Sequence, residues 1–512
     1  ARKLKWTDRA VAAPITNNIS VLSPATYAAS IARSPYRGYL DLGYFPSMQI
    51  GASAGYSFID NEMTRLGAWL QYDGSQYKRE NIVGNKLDYR DHSAALGVNL
   101  AHRFDEIGTL TARAAYSFSA FNFPTLVDKG LSQSANRFDL GVGWESTLDA
   151  LSYNVSLDYN YFGFSKAVEE QLKAMGENTA RLSLGGLYSF TESHNVGADI
   201  NLAVNSVSKP VFIDDADYSL ANIDSKNLGY VNFAPYYLNR GDNYSLRLGL
   251  EVNYIWGADN GVRIHPDVRF DWTPGSKFGL YARFSGGNPQ LNAISTLFKR
   301  DHYINPSIMN APSWNKYMAD LGFIIGPFSG ASIEVWGGLG KVASLPLPTV
   351  IEDGEFPQLM GSYAAIDYTS IHYGIALNYT YRDIARLRVA YEGAPQDLDR
   401  GYMYWLDRAR NVLGASLTVT PVKPLDLELS YTLRSGRATY SVAPDDVPFD
   451  HLPYAKVSLG NAGSLNFGAS YRVNPQFSVW ARGENLLNSK WQEVFAVPCK
   501  GVTGLIGIGY KF

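Results

Sequence analysis

Val502-Thr-Gly-Leu-Ile-Gly-Ile-Gly-Tyr-Lys-Phe512, the last stretch of the chain, alternates apolar residues with small or polar ones and ends on an aromatic residue. Counting back by twos from Phe512 puts Tyr510, Ile508, Ile506 and Gly504 on one face. Lys511, Gly509, Gly507 and Leu505 fall on the other, because successive side chains of a strand point to opposite sides. One face suits lipid and the other a lumen, as in the wall of a membrane-spanning barrel.

The same alternation recurs upstream. Leu425, Leu427, Leu429, Tyr431 and Leu433 oppose Asp426, Glu428, Ser430, Thr432 and Arg434. Leu246, Leu248, Leu250 and Val252 oppose Ser245, Arg247, Glu251 and Asn253, while Tyr153, Val155, Leu157 and Tyr159 oppose Asn154, Ser156, Asp158 and Asn160. Between Val262 and Trp272, five ionisable residues share a face: Arg263, His265, Asp267, Arg269 and Asp271. Pro266 lies opposite them and removes a ladder donor, so a bulge or a break in the wall is expected there.

Composition points the same way. The 35 Tyr and 10 Trp exceed what a soluble core needs and match aromatic girdles at two membrane interfaces. The 47 Gly suit tight turns and closely packed strands. No apolar run reaches the roughly 18 residues of a spanning helix, which excludes a helical membrane protein. A net charge of −3 weakens any nucleic-acid reading. Cys499, the single cysteine, excludes an intrachain disulfide framework and reads as a loop thiol.

In residue type and spacing, Ile506, Ile508, Tyr510 and Phe512 resemble the C-terminal insertion signal of bacterial outer-membrane β-barrels. That resemblance implies a periplasmic C-terminus. Short connections near 60–62, 105–108, 191–194, 239–242, 274–276, 328–330, 382–383, 422–424 and 474–475 then become periplasmic turns. Longer stretches near 74–86, 123–132, 166–176, 209–224, 288–311, 343–366, 396–405, 437–460 and 487–500 become extracellular loops. The expected fold is an all-β transmembrane antiparallel barrel over 37–512 with about 22 strands, give or take two to four. Residues 1–36, with Pro14, Pro24 and Pro35, read as an irregular periplasmic or luminal lead-in. Ala1-Arg-Lys-Leu-Lys-Trp lacks the apolar stretch of a secretion signal, so the numbering is expected to begin at a mature or resolved terminus, which leaves room for residues upstream.

Arg482, Glu484, Asn485, Leu486 and Asn488, followed by Trp491, resemble the Arg-x-Glu-Asn-Leu-x-Asn pattern near the end of TonB-dependent receptor barrels. The motif marks a barrel hairpin and not a ligand. Those receptors carry a globular plug before the barrel, whereas here the strand pattern begins by about Arg37, so the chain resembles the plugless receptor-like barrels of Bacteroidota. The resemblance implies an integral protein of a Gram-negative outer membrane. It would contact lipid and lipopolysaccharide, with other outer-membrane proteins or lipoproteins as partners.

A lumen of this width leaks unless obstructed, by inward loops, side chains, the lead-in, an upstream domain or a partner. Arg247, Glu251, Arg263, His265, Asp267, Arg269, Asp271, Asp426, Glu428 and Arg434 form a candidate luminal charge network. Its mixed signs favour ion pairs over a charge filter. The 7 His show no metal-ligand spacing, and no nucleophile motif accompanies them, so no catalytic residue, metal site or cofactor is expected. Acidic runs at Asp214-Asp215-Ala-Asp217, Glu352-Asp353-Gly-Glu355 and Asp445-Asp446 could take a divalent cation, although exposed acidic loops are more often simply solvated. The favoured function is a structural or accessory subunit of an outer-membrane complex, serving barrel assembly, secretion or surface lipoproteins. The alternative is a TonB-dependent or passive nutrient transporter whose plug lies upstream or comes in trans.

Overall fold

Dyad alternation becomes a wall once each strand finds a neighbour on both sides. The computed structural model describes residues 35–512 except 47–48, 81–83, 106, 123–131, 167–175, 209–226, 258–259, 297–311, 354–355, 396–404, 407–408, 442–454 and 495–496. Within it, 22 antiparallel strands form one closed sheet, running from Gly38–Phe45 to Thr503–Lys511. The last strand pairs with the first, with Tyr39 opposite Lys511 and Tyr44 opposite Ile506, so the sheet has no free lateral edge at its ends.

Apolar side chains cover the outside. Ile506, Ile508 and Tyr510 stand exposed on the last strand, as do Val155, Leu157 and Tyr159 on strand Leu151–Phe164 and Leu248 and Leu250 further round. Aromatic pairs gather toward the turn ends, among them Tyr56 with Phe58, Phe104 with Trp144, Tyr188 with Phe190 and Trp272 with Phe278. Higher on the outer face, the Tyr116 and Tyr159 hydroxyls each donate to an asparagine on a nearby strand, Asn136 and Asn178, both at 2.6 Å. Aromatic rings with a polar tip at two levels suit two membrane–water interfaces.

Each short connection expected from the sequence joins consecutive strands. Local side chains explain several of them. Asn61 Oδ1 accepts from the Met63 and Thr64 amides at 3.0 and 2.6 Å, and Asn474 Oδ1 accepts from Gln476 and Phe477 at 2.9 and 2.8 Å. A further turn, at Asp149 and Ala150, is not among those expected; Asp149 takes a left-handed φ of 50° there.

Two expected loops are corrected. Most of 74–86 is strand, because Thr64–Glu80 pairs with Lys86–Phe104 as far as Glu80 opposite Lys86. The 343–366 stretch is a long hairpin, in which Ala331–Asp353 pairs with Phe356–Tyr381. Outside the membrane both faces of a strand meet water, so the alternation that reveals a strand is lost. Residues 437–460 also hold two short strands, Ala438–Ser441 and Ala455–Ser458, paired with each other. Residues 1–34 of the lead-in expected over 1–36, and the acidic residues Asp214, Asp215, Asp217, Glu355, Asp445 and Asp446, lie outside the described residues.

The wall is disturbed near Pro266. Strand Gly261–Gly275 pairs with Tyr244–Trp256 along its length, but its register with Phe278–Gln290 ends at Asp267 opposite Ser285. Beyond that point Phe278–Gln290 keeps only an irregular pairing with Ser313–Phe328, through Gly287 opposite Asn315 and Gln290 opposite Ser313.

Candidate functional site in the lumen

Register places three arginines side by side: Arg247 is opposite Arg269, and Arg269 opposite Arg283. Like charges directly across a ladder repel. Asp267 compensates from between the first two, accepting from Arg247 Nε at 2.7 Å and Arg269 Nε at 2.9 Å. It is only 1% exposed, so its charge depends on those partners. Arg247 also reaches Asp199 at 3.3 Å and lies 3.5 Å above the Tyr236 ring. Arg247 and Arg269 thus meet opposite charge within the wall itself, through Asp267 and Asp199.

Glu251 belongs to a neighbouring amide group. It accepts from Asn232 Nδ2 at 3.1 Å, and the same amide donates to Asn253 Oδ1 at 2.7 Å. Arg263 stacks on Trp314 at 4.1 Å, and His265 lies beside Gly286, where an added Cβ would come within 2.7 Å of its ring. Asp271 is opposite Tyr281.

The remaining candidates do not join this cluster. Asp426 accepts from Thr420 Oγ1 at 2.8 Å and lies 3.7 Å from Arg472. Glu428 is opposite Thr418 and Arg434 opposite Val412, on a different part of the wall. The ten luminal candidates thus fall into separate groups, because the strand carrying Asp426, Glu428 and Arg434 is several places round the cylinder from Asp267.

The hairpin-motif residues organise the final loop. Asn485 exchanges hydrogen bonds with the Ser489 backbone, both at 3.0 Å, and the Asn488 amide donates to the Asn485 carbonyl at 2.8 Å. Asn485 and Asn488 have left-handed φ values of 48° and 47°. Trp491 packs with Ala462 and Cys499, Arg482 stacks on Trp480 at 4.8 Å, and Thr503 Oγ1 donates to Glu484 at 3.4 Å; Leu486 is exposed. Arg79, from the other end of the sequence, holds the loop by donating to the Lys500 carbonyl at 3.0 and 2.8 Å.

Sequence reading missed Glu177. Its side chain is 0% exposed and accepts from the Ile294 and Ser295 amides, each at 2.7 Å, and from Asn205 Nδ2 at 3.1 Å. The local hint is the turn cluster Gly286-Gly287-Asn288-Pro289, which interrupts a strand pattern. Toward the turn end, a luminal cleft of about 820 Å³ is lined by Ser57, Arg65, Asn99, Arg113, Gly141 and Asp158. Among the described residues, no group of three His, Cys, Asp or Glu side chains is placed to hold a metal ion.

No protein-family model matches the sequence, and no curated protein matches it. Solved structures match in shape. The siderophore receptor PirA from Acinetobacter baumannii superposes with a TM-score of 0.71 at 9% identity, covering 94% of this chain and 81% of that one. The ferric enterobactin receptor PfeA from Pseudomonas aeruginosa gives 0.68 at 10% identity, over 94% and 82%. The copper transporter OprC gives 0.64 at 13% identity, over 93% and 80%. At these identities the likeness concerns the fold alone: the chain is a closed 22-strand β-barrel similar in shape to these two receptors and this transporter.

Proposed function

We propose that this chain is an outer-membrane transport barrel for a small nutrient, with a metal ion or metal chelate as the substrate class. The observation that carries the reading is a closed 22-strand cylinder that is similar in shape, over more than nine-tenths of the chain, to a siderophore receptor and a copper transporter. A cylinder of this size encloses a lumen wide enough for such a solute. The described part of the wall offers that solute paired charges and amides.

The accessory-subunit reading rests on the long extracellular connections, and the fold comparisons favour transport over it. The Bacteroidota type and partnership with other outer-membrane proteins or lipoproteins belong to the proposal as well. Deleting the gene in its native host and measuring growth under metal restriction tests the main reading. Impaired uptake of a labelled metal chelate, restored by the intact gene, supports it; unchanged uptake of ferric and copper chelates overturns it. Mild-detergent purification with N-terminal sequencing tests the plug and partner expectations.

A further inference from the structure

The strand Phe278–Gln290 parts from its neighbour Gly261–Gly275 after Ser285 and crosses that neighbour's luminal face. Gly287 permits this with a φ of 74°, and a Cβ there would come 2.4 Å from Asn253 Nδ2 and 2.7 Å from Glu251 Oε2. Asn288 follows with a φ of 47°, and its amide donates to Glu251 Oε2 at 2.8 Å. The segment thus stands over strand Tyr244–Trp256. Three strand spacings, roughly 14 Å, separate that strand from Gly176–Ser189, which carries Glu177. Six residues from Asn288 to Ile294 reach at most about 21 Å, enough to arrive with slack.

Leu291, Asn292, Ala293, Ile294 and Ser295 are all buried on arrival. Leu291 packs with Ala203 and Leu228, and Glu177 takes the Ile294 and Ser295 amides. Two luminal carboxylates on different strands therefore hold one returning segment by its backbone. Backbone amides taken from water need such acceptors.

We infer that residues 286–295 are a strap across the inner wall of the barrel mouth, and that Glu177 is the positioning residue that holds it there and narrows the aperture. The effect on passage rests on the transport reading; the attachment itself does not.

The test uses the full chain with Cys499→Ala, so that an introduced Ile294→Cys is the sole thiol. A membrane-impermeant maleimide should label it slowly. Adding Glu177→Ala should accelerate labelling about tenfold or more, since two buried amides lose their acceptor. Glu177→Gln, which keeps one acceptor oxygen, should fall between. Retained heat-modifiable migration on a gel shows that each barrel is folded, and Gly287→Ala provides a second release independent of Glu177. Labelling that is already fast in the parent, or equally slow in both release variants, overturns the strap. Single-channel conductance in planar bilayers reads the aperture: an increase on release supports narrowing, and unchanged conductance with faster labelling overturns the narrowing while leaving the attachment intact.

Discussion

Gly38 and Phe512 close the barrel through a reciprocal pair of backbone hydrogen bonds, Gly38 N to Phe512 O at 2.8 Å and Phe512 N to Gly38 O at 3.0 Å. The Phe512 ring stacks on Tyr510 and Tyr56, with centroids 5.9 and 6.1 Å away. It also covers the space where Gly38 would carry a Cβ, which would lie 2.4 Å from the ring. A side chain at 38 must therefore displace the terminal aromatic from the seam.

Gly38→Val should consequently reduce the yield of assembled barrel, with an overpacking cost of about 1–3 kcal/mol. Phe512→Ala should also lower the yield, by removing the stacked ring. The ratio of folded to unfolded bands on an unheated gel measures both. Equal yields for parent and Gly38→Val would contradict the seam geometry.

Outward residues define the membrane contact. Leu157 and Leu250 are exposed on separate strands of the outer wall, and replacing either with Arg should cost about 2–4 kcal/mol if the position is near the bilayer midplane. Reversible folding into vesicles measures the difference. Cysteines at these positions should resist water-soluble maleimide in membranes.

Asp267 and Asp158 provide a contrast between buried and exposed pairing. Asp267→Ala leaves Arg247 and Arg269 opposed without their shared acceptor and should destabilise the barrel by about 3 kcal/mol or more. Asp158→Ala removes a 2.6 Å pair with the well-exposed Arg113 and should cost about 1 kcal/mol or less. Denaturant unfolding of the two variants side by side reads the difference.

Arg79 pins the final loop across the chain closure. Arg79→Ala should release the Lys500 carbonyl and make the buried Cys499 thiol react faster with a soluble disulfide reagent. An unchanged rate would show that the packing of Trp491 and Ala462 and the Ser489 carbonyl hold the thiol without Arg79.

The wall was legible wherever its two faces meet different solvents. Leu425 to Arg434 alternates because lipid lies on one side and water on the other, and its expected strand is present as Leu425–Ser435. Extracellular extensions such as Gln76 to Glu80, or the hairpin carrying Pro346 and Pro348, lack that contrast and read as loops. The luminal candidates were found by type and face, but their division into partners depends on how far apart the strands stand round the cylinder.

By itself the sequence determined the all-β architecture, most of the turn positions and the lipid-facing side of the strands with clear alternation, because a period of two residues is a local property of the chain. Only the tertiary structure decided that Glu177 receives the Ile294 and Ser295 amides, that Asp267 lies between two arginines, and that Arg79 holds Lys500. Those contacts join residues that are remote along the chain or set by strand register, and closure of the cylinder is what brings them within hydrogen-bonding distance.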